Sequence, residues 1–478
     1  MNALKIAGAA ALLAGTAYTS RDNLGPQLAA TSVDSFIQAL SVRARADVPF
    51  APCATPPPPS APVGTFDGTQ IPAVTTDLRI APQTSLNFEA ATLVTGLTYA
   101  YGIEVSDYNC DGAWDVSVFD SYAEAPRAPG AIGYISFDRQ TMTQVTDLDT
   151  WPELPQNGKF LFERHKAFDV NGDGYLDIVG AGNSNEAIIA YINPGLNATT
   201  TRWARRYLST NAPGAVNLDL RDIDGDGLID IVMALRINSD GIVTGARGGL
   251  AWLKNPGPGA TGSWLKRTIA PSADLIDPRN LQIADLDGNG KLDVYISDSS
   301  TGLSSTYFQS GNGQWALLRT NTGAIHGHYG ASVTENDGQV PAILQPVYYG
   351  ISLLRFDSQA RQFTSQRLAS FAYEGQLILV GDVAVSDIDR DGFADIVFSI
   401  MALSSDRIAP RRGGVYMMRK ANNWQIETVA HRQSSIVELK LQDVDQDGLT
   451  DIVANAEYPE NGVTIYFQRP APEGVPPG

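Results

Sequence analysis

Cysteine is almost missing from this chain: its 478 residues include two, Cys53 and Cys110. That excludes a disulfide-built scaffold and leaves either one bridge or two free thiols, because sequence sets no distance between them. Basic residues are scarce as well, 34 Lys and Arg against 52 Asp and Glu, for a formal net charge of −18. This balance argues against a nucleic-acid partner and asks for cations instead. Long apolar runs are lacking, since IAGAAALLAGTA, Ile6 to Ala17, is too short to span a bilayer. Preceded by Lys5 and ending in small residues, it reads as an export leader over 1–20, and the protein as secreted or held at the cell surface. No nucleophile elbow, zinc motif or phosphate loop occurs.

Turn chemistry, by contrast, is plentiful. With 45 Gly, 28 Pro and 43% apolar residues, the composition favours a turn-rich all-β protein. Residues 21–74 contain ATPPPPSAPVG and read as an extended Pro-rich linker, in which TSVDSFIQALSVRARA suits one short helix. Residues 471–478 form a second Pro-rich tail. Between them, over 75–470, the chain repeats itself.

Six acidic segments align. SDYNCDGAWDVSV carries Asp107, Asn109, Asp111 and Asp115, and FDVNGDGYLDIVG carries Asp169, Asn171, Asp173 and Asp177. RDIDGDGLIDIVM carries Asp222, Asp224, Asp226 and Asp230, and ADLDGNGKLDVYI carries Asp285, Asp287, Asn289 and Asp293. SDIDRDGFADIVF supplies Asp387, Asp389, Asp391 and Asp395, and QDVDQDGLTDIVA supplies Asp443, Asp445, Asp447 and Asp451. The double-length interval between the fourth and fifth of these holds a degenerate copy, SVTENDGQVPAIL. It keeps Asp337 and Gly338 but has Val333 and Pro341 where the outer carboxylates belong. Each of the seven units reads as a strand, the acidic loop, an apolar strand such as LIDIVMAL, a third strand such as GGLAWLKN, and a fourth that often opens on an aromatic, as in WLKRTI. Four strands per unit, seven times over, predict a seven-bladed β-propeller. The seventh unit runs out of chain before its fourth strand. FEAATLV, Phe88 to Val94, has that pattern ahead of the first unit and is expected to pair there and close the ring.

The spacing also predicts chemistry. Oxygens at loop positions 1, 3 and 5, a Gly at 6 for the sharp turn and a carboxylate at 9 wrap the chain around one hard cation, and an all-oxygen set of this size suits Ca2+. About six such sites, one per intact loop, would offset most of the net charge. The carboxylates are then staples joining the first strand of a blade to the second. An Asp-Gly turn without metal is the simpler reading of any one loop, but not of six in register.

Loops of the form D-x-[DN]-x-[DN]-G-x-x-D-[IV] in blade-length repeats resemble the FG-GAP or VCBS repeat family. Its members are calcium-binding seven-bladed propellers of integrin α-chain heads and of many secreted microbial proteins. The resemblance covers about 88–469 and implies fold and metal rather than ligand, since that fold hosts adhesins, lectins and polysaccharide lyases.

It also implies that the calcium loops share one face and that the channel mouth lies on the other, near the strand-one residues Gly102, Arg164, Asn217, Asn280, His328, Asp382 and Glu438. Connections into the third strands bring Arg127, Arg247, Arg411 and Arg412, whose planar forks suit carboxylate or sulfate. With His326 and His328 they are the candidate ligand-binding residues, although pairing with acids of a neighbouring blade is the better account of any single Arg. For a polysaccharide lyase, His328, Tyr329, Tyr348, Tyr349 and Arg164 would have to supply base, acid and neutralising charge. The expected function is a calcium-stabilised binding or adhesion module for extracellular carbohydrate, anionic polysaccharide included, or for protein. A lyase and a structural subunit of a surface assembly are the alternatives.

Overall fold

In the blades with an intact acidic loop the ninth loop residue begins a strand that is buried on both sides and opens on β-branched residues, as in Asp-Ile-Val at 230–232. Strands sandwiched between neighbouring sheets have no polar face, which is why these runs do not alternate. Outer strands do: Gln314–Asn321 alternates between exposed and half-buried residues. The computed structural model describes 64–470 except 98–99, 121–130, 137–140, 146–161, 183–186, 237–247, 271–274, 299–300, 312, 322–328, 336–340, 373–376, 404–412 and 458. The leader, the expected short helix, Cys53 and the C-terminal tail lie outside the described residues.

Seven antiparallel sheets follow in chain order. Their first strands are Ala100–Ser106, Phe162–Phe168, Ala215–Arg221, Pro278–Ala284, Ala331–Thr334, Leu377–Ser386 and Ile436–Gln442. Each packs against the first strands of both neighbouring blades, and the seventh packs against the first, so the blades form a closed ring. The expected closure is present: Asn87–Val94 is the outer strand of the seventh blade, with Phe88 opposite Gln468 and Ala91 opposite Ile465.

The core is a series of layers between blades rather than one centre. Tyr108, Phe119 and Tyr134 of blade one, for instance, meet Ile178, Ile189 and Trp203 of blade two. The aromatic that opens a fourth strand also links blades: the Trp203 amide donates to the Val145 carbonyl at 3.1 Å, and the Trp264 amide to Leu208 at 2.8 Å.

The segment from Gly64, read from sequence as the end of the linker, runs along the outside of blades five and six. Thr65 exchanges backbone hydrogen bonds with Gly392 and Ala394 of blade six, at 2.9 and 3.0 Å. Val74–Asp77 then adds a parallel fifth strand to blade five, opposite Ala369 to Ala372. Gln83 bridges to Thr428 of blade six before the chain becomes the outer strand of blade seven. Among the described residues no helix is long and apolar enough to cross a membrane.

Candidate metal loops and the channel

The six acidic loops share one backbone frame. At position 6 the glycines Gly112, Gly174, Gly227, Gly290, Gly392 and Gly448 all have φ between 80° and 92°, a region closed to most side chains. Each donates its amide to the position-1 carboxylate, from Gly112 to Asp107 at 2.9 Å through Gly448 to Asp443 at 2.8 Å. The position-9 carboxylate accepts from the position-2 amide, as Asp177 does from Val170 at 2.9 Å and Asp451 from Val444 at 2.8 Å. The position-5 oxygen is held by the position-7 amide, as Asp226 is by Leu228 at 2.9 Å. The local sequence therefore turns its oxygens inward before any ion is considered.

Four of these loops, Asp222–Asp224–Asp230, Asp285–Asp287–Asp293, Asp387–Asp389–Asp395 and Asp443–Asp445–Asp451, bring carboxylate oxygens within 4.8 Å of one another. Buried oxygens of Asp115, Asp387, Asp395 and Asp443 have no hydrogen-bond donor. Burial, with neighbouring carboxylates adding to it, pushes Asp293 up to about 7 and Asp177, Asp395 and Asp451 up to about 8. Spare oxygens that resist ionisation are what a divalent cation would satisfy, so the residues fit Ca2+. In blades one and two the third-position ligand is Asn109 or Asn171. The Asn109 side-chain oxygen accepts from the Asp111 amide at 3.0 Å, and that of Asn171 from the Asp173 amide at 2.9 Å. Asp107 is raised to about 6 by burial.

Three loops also meet a basic side chain from the end of their own third strand, which sequence reading missed. Lys254 reaches Asp224 and lies 2.6 Å from Asp226, Arg419 lies 2.9 Å from Asp389, and Arg469 lies 2.5 Å from Asp445. Blade five carries this further. Its loop offers Glu335, whose carboxylate is forked by Arg355, at 2.7 Å on one side, and accepts the Gly68 amide at 3.1 Å. Asp337 and Gly338 lie outside the described residues.

Side-chain amides stitch loop to loop as well. Asn193 donates to the Tyr108 carbonyl at 2.7 Å, Gln309 to Ile223 at 3.1 Å and Gln468 to Ile388 at 3.1 Å, each reaching the preceding blade's loop. Asn193 opens an Asn-Pro-Gly that recurs at 255–257, but there Asn255 donates to the Ile229 carbonyl of its own loop at 2.9 Å, so the motif alone did not signal this role. Cys110, at loop position 4, is disulfide-bonded.

At the channel the strand-one polar residues are buried and committed to one another. Arg164, 6% exposed, pairs with Glu438, and its guanidinium lies 3.4 Å from the Tyr329 ring centre. Glu438 also takes Lys440 at 2.7 Å and the Ile103 amide at 3.1 Å. Asn280 accepts from Gly330 at 3.1 Å, Asn217 donates to the Arg279 carbonyl at 2.7 Å, and Asp382 accepts from Leu439 at 3.0 Å. Gly102 faces blade two so closely that a Cβ would come within 2.9 Å of the Glu163 carbonyl. Glu163 is gripped by Arg279 at 2.5 Å and Arg236 at 3.2 Å. Burial would raise Glu104, but the ammonium groups of Lys166 and Lys440 outweigh it and hold it near 2. Burial depresses His165 to about 4, and its Nε2 lies 2.6 Å from the Ser117 hydroxyl.

Of the catalytic candidates, Arg164 and Tyr329 touch, Tyr348 packs on the cluster containing Tyr329, and Tyr349 adjoins Tyr348. His326, His328, Arg127, Arg247, Arg411 and Arg412 lie outside the described residues.

No curated protein matches the chain. Of solved structures, one described as an X-ray structure of a provisionally assigned gluconolactonase is 10% identical, covers 74% of this chain and 97% of its own, and has a TM-score of 0.38. The model of the FG-GAP-like repeat family matches residues 169–233, which run from the acidic loop of blade two through that of blade three. Seven blades in a ring make the chain a seven-bladed β-propeller, and its residues 169–233 match an FG-GAP-like repeat.

Proposed function

We propose that this propeller is stapled by Ca2+ and works outside the cell as a binding or adhesion module, holding carbohydrate or protein on the face opposite its acidic loops. One observation carries this reading, the contrast between the two ends of the blades. First-to-second connections with an intact loop are all eight residues long: 107–114, 169–176, 222–229, 285–292, 387–394 and 443–450. Second-to-third connections, which leave the blades at the other end, run from two residues at 348–349 to thirteen at 236–248. Uniform length suits a repeated structural staple, whereas variation over a rigid scaffold is where binding surfaces are built. Arg127, Arg247, Arg411 and Arg412 fall by sequence in the longest of these variable connections and suit acidic groups on a polysaccharide.

The test is binding to a panel of acidic and neutral polysaccharides in calcium buffer. Joint substitution Arg247→Ala and Arg412→Ala is expected to weaken polyanion binding by about tenfold or more. Unchanged affinity would remove the arginine face from the proposal. A lyase would need Arg164 to leave Glu438, so unsaturated product from the same incubations is not expected.

A further inference from the structure

Positions 3 and 5 of the acidic loops come in two versions. In blades three, six and seven both are aspartate: Asp224 and Asp226, Asp389 and Asp391, Asp445 and Asp447. In blades two and four one of the pair is asparagine, Asn171 beside Asp173 and Asn289 beside Asp287. The basic side chains at the loops follow the same division. Lys254 contacts both Asp224 and Asp226, Arg419 lies 2.9 Å from Asp389, and Arg469 lies 2.5 Å from Asp445 and 3.4 Å from Asp447. Among the described residues the pair meets no base in blades two and four. There Asn171 donates its own side-chain amide to Asp173 at 2.8 Å, and Asn289 donates its own to the Gln309 carbonyl at 3.1 Å. Four carboxylates less one base, or three carboxylates and none, leave the same three negative charges in each of these five loops.

Strand register does not produce this match. Ile231 and Ile396 pair with Leu253 and Met418, so Lys254 and Arg419 hold the same place after their third-strand partners. The residues at that place in blades two, four and seven are Ile192, Phe308 and Phe467. Blade seven therefore has no base there, and Arg469 reaches the carboxylates of its loop from two residues farther on. A base that arrives from either of two places, and that accompanies the fourth carboxylate, answers charge rather than packing.

The affinity of a calcium loop is set by how many charged ligands it offers and by how rigidly it holds them. A fourth carboxylate raises both the attraction for a divalent cation and the repulsion that the loop bears without one, and a base bonded to the same carboxylates offsets both. We infer that Lys254, Arg419 and Arg469 are affinity-limiting residues, which bring the four-carboxylate loops down to the level of the three-carboxylate ones. The blades then take up Ca2+ over one common range of concentration. In a closed ring, where each blade packs on two others, staples that fill together keep the interfaces formed together. The inference rests on the calcium reading of the loops and deepens it.

Lys254 is the residue to test, because its side chain is 31% exposed and its ion pairs go to Asp224 and Asp226 alone. Hydrogen exchange on the full chain, read by mass spectrometry across a series of free calcium concentrations, follows 169–177, 222–230, 285–293, 387–395 and 443–451 separately. In the wild type these loops are expected to gain protection with midpoints within about threefold of one another. Lys254→Met is expected to lower the midpoint of 222–230 by about tenfold and to leave the other four in place. Adding Asp226→Asn, which copies the Asp287 and Asn289 pair of blade four, is expected to bring the midpoint back. The melting temperature of Lys254→Met in saturating calcium should match or exceed that of the wild type. A midpoint for 222–230 that stays or rises in Lys254→Met, a double variant as tight as the single one, or wild-type midpoints split by carboxylate count would each overturn the inference and leave the staples standing. So would a lower melting temperature of Lys254→Met in saturating calcium, which would make Lys254 a plain structural contact. Protection that ignores calcium in all five loops would remove the calcium reading itself, and the inference with it.

Discussion

In the channel, Glu104, Glu163, Asp277, Asp382 and Glu438 stand among Arg164, Lys166, Arg236, Arg279 and Lys440, one basic group for each acid. In the acidic loops the ninth-position aspartates are just as deeply placed but face backbone amides and further carboxylates. The same burial therefore has opposite consequences. Glu104 is held ionised near 2, whereas Asp177 is pushed up to about 8. Charge that a fold balances internally needs nothing from solution, but charge concentrated in one sign makes the fold depend on an added counter-ion. Blade five lies between these cases, because its loop carboxylate Glu335 is answered by Arg355 and by the N-terminal segment at Gly68.

The comparison can be broken at its strongest point first. Chelation of calcium is expected to lower the melting temperature steeply, since each occupied loop contributes about 2.7 kcal/mol at a hundredfold excess of ion over Kd. A melt that is the same with and without chelator would show that the loops are plain turns.

A smaller loss is expected on the balanced side. Glu438→Gln leaves Arg164 and Lys440 buried without their shared acid, at a cost of about 3 to 5 kcal/mol. Denaturant titration should find that loss equal in calcium and in chelator. A calcium-dependent loss would join two regions that are kept apart here.

The smallest effect falls in blade five. Arg355→Met removes the fork on Glu335 and should cost about 1 to 3 kcal/mol. Hydrogen exchange should place the loosening in 331–372 and 64–77, and in chelator these segments of the wild type should keep more protection than the acidic loops. Equal loosening of all seven blades by chelator would mean that blade five also relies on an ion.

Much of this architecture was legible beforehand. Blade count and the acidic loops follow from repeats at regular spacing, each loop needs only nine residues to define itself, and the closing strand follows from counting strands in the last repeat. The aromatic that opens a fourth strand was visible too, although its hydrogen bond to the preceding blade was not. The docking of 64–77 left no periodic trace. Its residues look like linker, and their partners Glu335, Ala369 and Phe393 are hundreds of positions away. Tyr348 and Tyr349 were noticed as side chains, but the left-handed backbone that sets Tyr349 apart has no signature in a pair of tyrosines.

By itself, then, the sequence determined the elements whose physics is local: alternation makes strands, glycine at positive φ makes the sharp loops, and nine-residue spacing gathers oxygens. Tertiary structure alone decided which buried charges meet, as Arg164 of blade two meets Glu438 of blade seven, and which edge the N-terminal segment covers. The reason is that electrostatic pairing and edge capping depend on distances in space, and closing a ring brings together residues that no stretch of sequence keeps side by side.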